Sequence, residues 1–118
     1  MTAKNIKIHI PYGELSAIGP GKADLLEAIH RNGSISSAGR DMGMSYKRAW
    51  DLVDTMNKSF RQPLVVTATG GNNGGGAQVT EFGYEVLRRY RDIEVKANQA
   101  VMAELGDLHR MLSLEVRR

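Results

Sequence analysis

The chain of 118 residues has no cysteine. That excludes a disulfide framework, thiolate metal sites and cysteine nucleophiles, and it fits a reducing compartment. It has no run of about 18 apolar residues, so no segment reads as a membrane span. The opening stretch, Met1-Thr2-Ala3-Lys4-Asn5-Ile6-Lys7, lacks the apolar block of a secretory signal, and a cytoplasmic protein is expected. His9, His30 and His109 lie too far apart for any zinc spacing. No paired carboxylates and no nucleophile–base set stand out, which speaks against an enzyme, and no cofactor is implied. Neither sign of charge dominates. A formal net charge of +3 permits a polyanionic partner without demanding one. What remains is ordinary: 42% hydrophobic and 25% charged residues argue against disorder. The length fits one domain, or one domain with an appendage, able to bury roughly two-thirds of its unfolded surface.

Residues 5–10 alternate as Asn5-Ile6-Lys7-Ile8-His9-Ile10, a period of two that predicts a half-buried strand. Pro11-Tyr12-Gly13 stops it, and Gly19-Pro20-Gly21 punctuates the link to the first helix. From Lys22 the period becomes helical, with Leu25, Leu26, Ala28 and Ile29 on one face and Asn32-Gly33 as the stop. Ser34 or Ser36 caps a short second helix with Ile35, Ala38 and Met42 inward, ended by Gly43. Ser45 caps a third, whose inner stripe is Ala49, Leu52/Val53, Met56 and Phe60, with Pro63 marking its end. Leu64–Thr69 and Ala77–Thr80 flank a Gly/Asn stretch and read as a hairpin. Thr80 caps a last helix running to about residue 115, with Gly83 as a weak spot. Such a helix extends roughly 45–50 Å, beyond a globule of about 25–30 Å. Its stripe of Val86, Tyr90, Ile93, Ala97, Val101, Leu105, Leu108 and Leu112 therefore needs a partner, and self-association is the simplest one.

The stretch from Ile35 to Leu52 fits a helix-turn-helix. Gly39 sits where the helices cross, and Gly43 sits in the turn. A three-helix unit followed at once by a hairpin is the winged variant, whose second helix presents its first turn to the major groove. Here that turn is Ser45-Tyr46-Lys47-Arg48. Lys47 and Arg48 suit guanine O6/N7 or phosphate, Tyr46 a phosphate or a thymine methyl, and Asp51 a cytosine amine. Lys58 continues that face, and Ser36 and Arg40 on the preceding helix suit phosphates. The bland alternative is a solvated charged face. Trp50 is large enough to pack at the edge of the core, with a groove contact as the alternative. Arg88, Arg89 and Arg91 either extend the basic surface or solvate an exposed face. The glycine stretch lacks the lysine of a G-x-x-x-x-G-K-S/T nucleotide loop. It reads as a wing tip on DNA backbone or in the minor groove, through Thr69, Gly71, Asn72, Asn73 and Gly74.

Three segments together carry a family resemblance: Gly33-Ser34-Ile35-Ser36-Ser37-Ala38, Ser45-Tyr46-Lys47-Arg48-Ala49-Trp50-Asp51, and Thr69-Gly70-Gly71-Asn72-Asn73-Gly74-Gly75-Gly76-Ala77. The chain resembles, from about Gly21 to Ile93, the N-terminal DNA-binding domain of ModE-type molybdate-responsive transcription regulators, itself similar to the LysR-type winged helix-turn-helix. The resemblance implies a dimeric DNA-binding protein whose last helix pairs the subunits, with Tyr46, Lys47 and their neighbours reading the operator. Full-length members carry C-terminal oxyanion-binding domains. This sequence has no room for them before Arg118, so molybdate sensing is not carried over and no effector is assigned. The expectation is a mainly α fold with a small β-hairpin: a winged helix-turn-helix over 1–80, then a long dimerisation helix over 81–118. Its partners would be double-stranded DNA and a second copy of the chain. The reading from another class is a protein–protein adaptor built on the same fold.

Overall fold

Apolar residues at helical spacing gather three helices around one core. The computed structural model describes residues 6–68 and 76–113. Helix α1 (Pro20–Asn32) starts from Gly19, with Pro20 in its first turn, where the missing N–H of proline has no intrahelical partner to lose. It ends at Gly33, whose φ of 75° is the left-handed conformation glycine adopts without strain. Helix α2 (Ile35–Asp41) is capped by Ser34, whose hydroxyl accepts the Ser37 N–H at 3.0 Å. After a turn through Gly43 (φ 72°), helix α3 (Tyr46–Ser59) is capped by Ser45, whose hydroxyl accepts the Arg48 N–H at 3.0 Å. Leu25, Leu26 and Ile29 of α1 are buried with Ile35 and Ala38 of α2 and with Ala49, Val53 and Met56 of α3. Helices α2 and α3 meet at Gly39, where a Cβ would stand 3.1 Å from that of Ala49. This is the close crossing expected of that glycine.

Strands β1 (Ile10–Tyr12) and β2 (Leu15–Ile18) form one small sheet, and β3 (Val65–Ala68) and β4 (Gly76–Val79) another. The second is the expected hairpin, antiparallel, with Val65 opposite Val79 and Ala68 opposite Gly76. Val65, Ala77 and Val79 face the core while Val66 and Gln78, paired on the other side, are exposed, the alternation of a sheet covered on one side. Thr67, opposite Ala77, lies beyond the covered part and is exposed. Helix α4 (Glu81–Ala100) comes next, with the Thr80 hydroxyl accepting the Gly83 N–H at 2.9 Å. The result is the expected mainly α fold with a small β-hairpin.

The predicted strand over 5–10 is corrected. Residues 6–9 pair with no strand, and β1 begins only at Ile10. It runs through Pro11, which a two-stranded sheet tolerates because one edge of each strand bonds to nothing. Gly13, at φ 60°, and Glu14 then turn the chain in a two-residue loop. The period of two is nevertheless real, since Ile6 and Ile8 are half-buried while Lys7 and His9 are exposed. Its cause is a helix rather than a sheet. The Ile6 N–H donates to Asn98 Oδ1 at 2.8 Å, and the Ile8 carbonyl accepts from the Tyr90 hydroxyl at 2.7 Å. Residues 6–9 form an extended strap along α4.

The single last helix is corrected as well. Val101, at φ −112° and ψ 11°, separates α4 from α5 (Met102–Arg110). Bonds from the Val101 N–H to Ala97 O (3.2 Å) and from the Leu105 N–H to Val101 O (2.8 Å) continue across it, so the interruption is a kink. No proline or glycine stands there to mark it in the sequence. Gly83, the weak spot in the sequence, has a packing reason to be glycine. It is a contact point, because a Cβ on it would collide with the Leu64 carbonyl and the Val79 side chain. Helix α5 buries no residue, and the longest dimension of the molecule, 55 Å, is nearly twice the others at 30 and 27 Å.

Candidate nucleic-acid interface

The Ser45 cap and the Gly43 turn fix where α3 begins, and its first turn stands clear of the core. Tyr46 is 60% exposed, with its ring edge-on to Trp50 at 6.1 Å between centroids. The Lys47 ammonium lies 2.9 Å from the Asp51 carboxylate, both well exposed, one turn apart on one face. Lys58, roughly 16 Å further along the helix, pairs in the same way with Asp54 at 2.9 Å. The hydrogen bond to Asp54 raises the Lys58 pKa. Arg48 is exposed and forms no ion pair among the described residues. Arg40 on α2 is likewise exposed and donates to the Ser37 hydroxyl at 3.1 Å. The α3 lysines thus carry their own counter-charges, while Arg40 and Arg48 face no carboxylate among the described residues.

Two lysines behave differently. Lys58 is solvated, but Lys22 is buried at the start of α1, with its ammonium donating to the Ser16 carbonyl. Burial, then the nearby Arg48 charge, pulls its pKa below the usual lysine range. Lys22 escapes a reading of the sequence because it stands in a stretch of turn punctuation, just where a solvated lysine is ordinary.

The hairpin is fastened to both neighbouring helices. The Ala77 N–H donates to the Gly33 carbonyl at 2.9 Å, just past the end of α1. Asn57 of α3 accepts the Leu64 N–H at 2.8 Å and the Val65 N–H at 3.2 Å on its Oδ1, and donates to the Val65 carbonyl at 3.0 Å. Asn57 also escapes the sequence. Its one signal there is an amide standing beside Met56 at the edge of an apolar stripe. A cleft of 330 Å³ opens between this hairpin and the first turns of α2 and α3, lined among others by Ser36, Tyr46, Trp50, Thr67 and Gly76. Trp50 is half-buried against the core, as its size suggests, and it also faces this cleft. The structure therefore brings Ser36, Tyr46 and Trp50 together with the hairpin base. The expected tip contacts Thr69, Gly71, Asn72, Asn73 and Gly74 lie outside the described residues.

The stripe on the last helices divides. Tyr90 is 2% exposed and belongs to the chain's own core, and Val86 packs half-buried against it. Beyond them Ile93, Leu108 and Leu112 are exposed at 44%, 55% and 59%, with Ala97, Val101 and Leu105 half-buried. Arg91 is not part of an open basic surface. It bridges α1 and α4 through Asp24 (2.7 Å), Glu27 (3.0 Å) and Glu94 (2.9 Å). Arg88 and Arg89 both bond to Glu85, and the Arg89 bond chiefly lowers the Glu85 pKa. Among the described residues no helix is long and apolar enough to cross a membrane.

No protein-family model matches the chain. It is similar to the molybdenum transport protein ModE of Azotobacter vinelandii, 43% identical over 86 residues, which are 73% of this chain and 32% of that protein. It is 45% identical over 84 residues to the molybdenum-pterin-binding protein MopA of Rhodobacter capsulatus, covering 71% of this chain and 32% of that one. The DNA-binding transcriptional dual regulator ModE of Escherichia coli is 40% identical over 88 residues, covering 75% of this chain and 33% of the regulator. The chain thus spans about a third of the length of these relatives. The resemblance read from three short segments extends over most of the sequence, and across that length the chain is a homologue of the ModE-type transcriptional regulators.

Proposed function

We propose that the chain is the DNA-binding part of a transcription regulator. It acts on molybdenum-related genes in the cytoplasm, without catalysis, and binds duplex DNA as a homodimer. Residues 1–80 form the DNA-binding unit, and 81–118 the arm that pairs two copies. The observation that carries this reading is the exposed first turn of α3, set by the Ser45 cap and flanked by a hairpin, in a chain 40% identical over 88 residues to a DNA-binding regulator. Tyr46, Lys47 and Arg48 meet base edges and phosphates, and Asp51 selects on its own face through a cytosine amine. Ser36, Arg40 and Lys58 add backbone contacts, and the tip around Thr69–Gly74 lies along the backbone or in the minor groove. Two α3 helices related by a twofold axis enter successive major grooves about 34–36 Å apart. The exposed Ile93, Leu108 and Leu112 supply the surface on which the copies meet.

Selection from a random duplex library tests both halves of this reading. The expected product is a near-palindrome with half-sites about one helical turn apart. Lys47→Ala and Arg48→Ala are expected to weaken binding to it without lowering the unfolding midpoint, each reducing the salt slope by about 1. Unchanged affinity in both variants removes α3 as the reading element. A chain that remains unretained on heparin and on random duplex at low salt is an adaptor instead.

A further inference from the structure

The cleft between the hairpin base and the first turns of α2 and α3 is lined by hydroxyls and by an indole. Ser36, Tyr46 and Thr67 bring hydroxyl groups to it, and no carboxylate is among its lining residues. Trp50 also lines it, and the Trp50 Nε1 is buried without a hydrogen-bond partner among the described residues. An indole nitrogen can only donate, and a buried donor left unpaired destabilises the free protein. Placing an acceptor against it recovers that loss. Arg40 stands one turn beyond Ser36 on α2, and its guanidinium is joined to a hydroxyl rather than to an acid. The cleft therefore combines hydroxyl groups and one unmet donor with no carboxylate, a set that suits a phosphodiester. A sugar ring also packs well on an aromatic face.

Resting on the DNA-binding reading above, we propose that this cleft holds one sugar–phosphate unit of the DNA strand passing between α3 and the β3–β4 hairpin, with a phosphate oxygen accepting from the Trp50 indole N–H. Trp50 thereby becomes a backbone contact from the edge of the core. In the free chain the N–H is shielded from solvent. Admitting the phosphate requires a neighbouring side chain to move, and Tyr46, edge-on to the indole and 60% exposed, is free to do so. The contact is with backbone, so it acts on every sequence alike.

The chain has one tryptophan, so its indole gives one N–H resonance when tryptophan is labelled with nitrogen-15. The probe is a mixed-sequence 30-base-pair duplex at low salt. The expected result is a downfield move of that resonance on saturation, together with about a tenfold loss of affinity in Trp50→Phe, as for a lost bond to a charged acceptor. The slope of log affinity against log salt should be unchanged in Trp50→Phe, because no cation is removed. An unmoved indole resonance on saturated wild-type protein overturns the proposal, whether or not the variant folds. So does a folded Trp50→Phe that binds as tightly as wild type while Arg48→Ala binds weakly, and in that case the DNA-binding reading survives. Wild-type protein that binds no duplex overturns both.

Discussion

Helices α1 and α5 carry the same kind of apolar stripe and meet opposite fates. Leu25, Leu26, Ala28 and Ile29 of α1 are all 0% exposed, whereas Met102 and Leu108 of α5 are exposed at 66% and 55%. Both stripes are written at helical spacing. The difference lies in what the rest of the chain places opposite them. Helices α2, α3 and α4 and strands β2 and β4 all pack on α1, while among the described residues nothing buries a residue of α5. Spacing thus specifies that a helix forms and which face is apolar, and the neighbours decide whether that face is core or an open surface.

The largest effect expected from this contrast is in urea unfolding. Leu26→Ala should cost about 2–5 kcal/mol, since it removes a fully buried side chain from a packed interior. Leu108→Ala in dilute chain should stay within about 0.5 kcal/mol, as for an exposed position. Equal losses at the two sites would break the contrast. It is sharpened if the wild-type midpoint rises with protein concentration, as it must when two copies associate on folding, and Leu108→Glu abolishes that rise. Sedimentation of wild type at micromolar concentration should then show a dimer.

The next effect lies inside the head of the molecule, where α3 and the hairpin meet. Asn57 satisfies two N–H groups and one carbonyl at the start of β3, groups that no strand pairing reaches on that side. Asn57→Ala leaves all three unpaired at a half-buried site, at a cost of about 1–3 kcal/mol. Hydrogen exchange should locate the change, with the Leu64 and Val65 amides losing protection while those of α1 keep it. Uniform loss of protection would mean that the hairpin and the three helices open as one unit.

Much of this is legible in the sequence, for definite reasons. The caps Ser34, Ser45 and Thr80, the crossing at Gly39 and the turn at Gly43 are local chemistry, decided within a few residues of where they stand. The faces of α1 and α3 follow from period alone. What escapes depends on residues far away in the chain. The alternation over 6–10 reads as a strand because period two marks a segment with two unlike sides, and a strap along a helix has two unlike sides as well. Its partners, Tyr90 and Asn98, lie over 80 residues away. Size and spacing alone leave Trp50 to either core or groove, and the structure sets it half-buried against the core beside the cleft at the hairpin base. Tyr90 reads as part of an outer stripe because its helical position suits one, and only the strap shows that the chain covers it itself.

Tyr90 stands where the buried head gives way to the open arm, and it supplies the smallest of the expected effects. Its hydroxyl is the bond that ties the strap to α4 at Ile8. Tyr90→Phe keeps the ring in the core and removes one hydrogen bond, a loss of about 1 kcal/mol. The tyrosine also leaves a signature in alkali. Burial, then the Glu94 carboxylate, pushes its pKa up to about 12. An unfolded tyrosine gives up its proton near pH 10. Between those values the unfolded chain ionises and the folded one does not, so the stabilising contribution is complete below about pH 10 and is lost as pH rises towards 12. The lead of wild type over Tyr90→Phe in urea midpoint should accordingly be constant at neutral pH and shrink above pH 10. A lead that holds steady up to pH 11.5, well inside the window between about 10 and 12, would mean that the phenol reaches water and that the strap does not close over it.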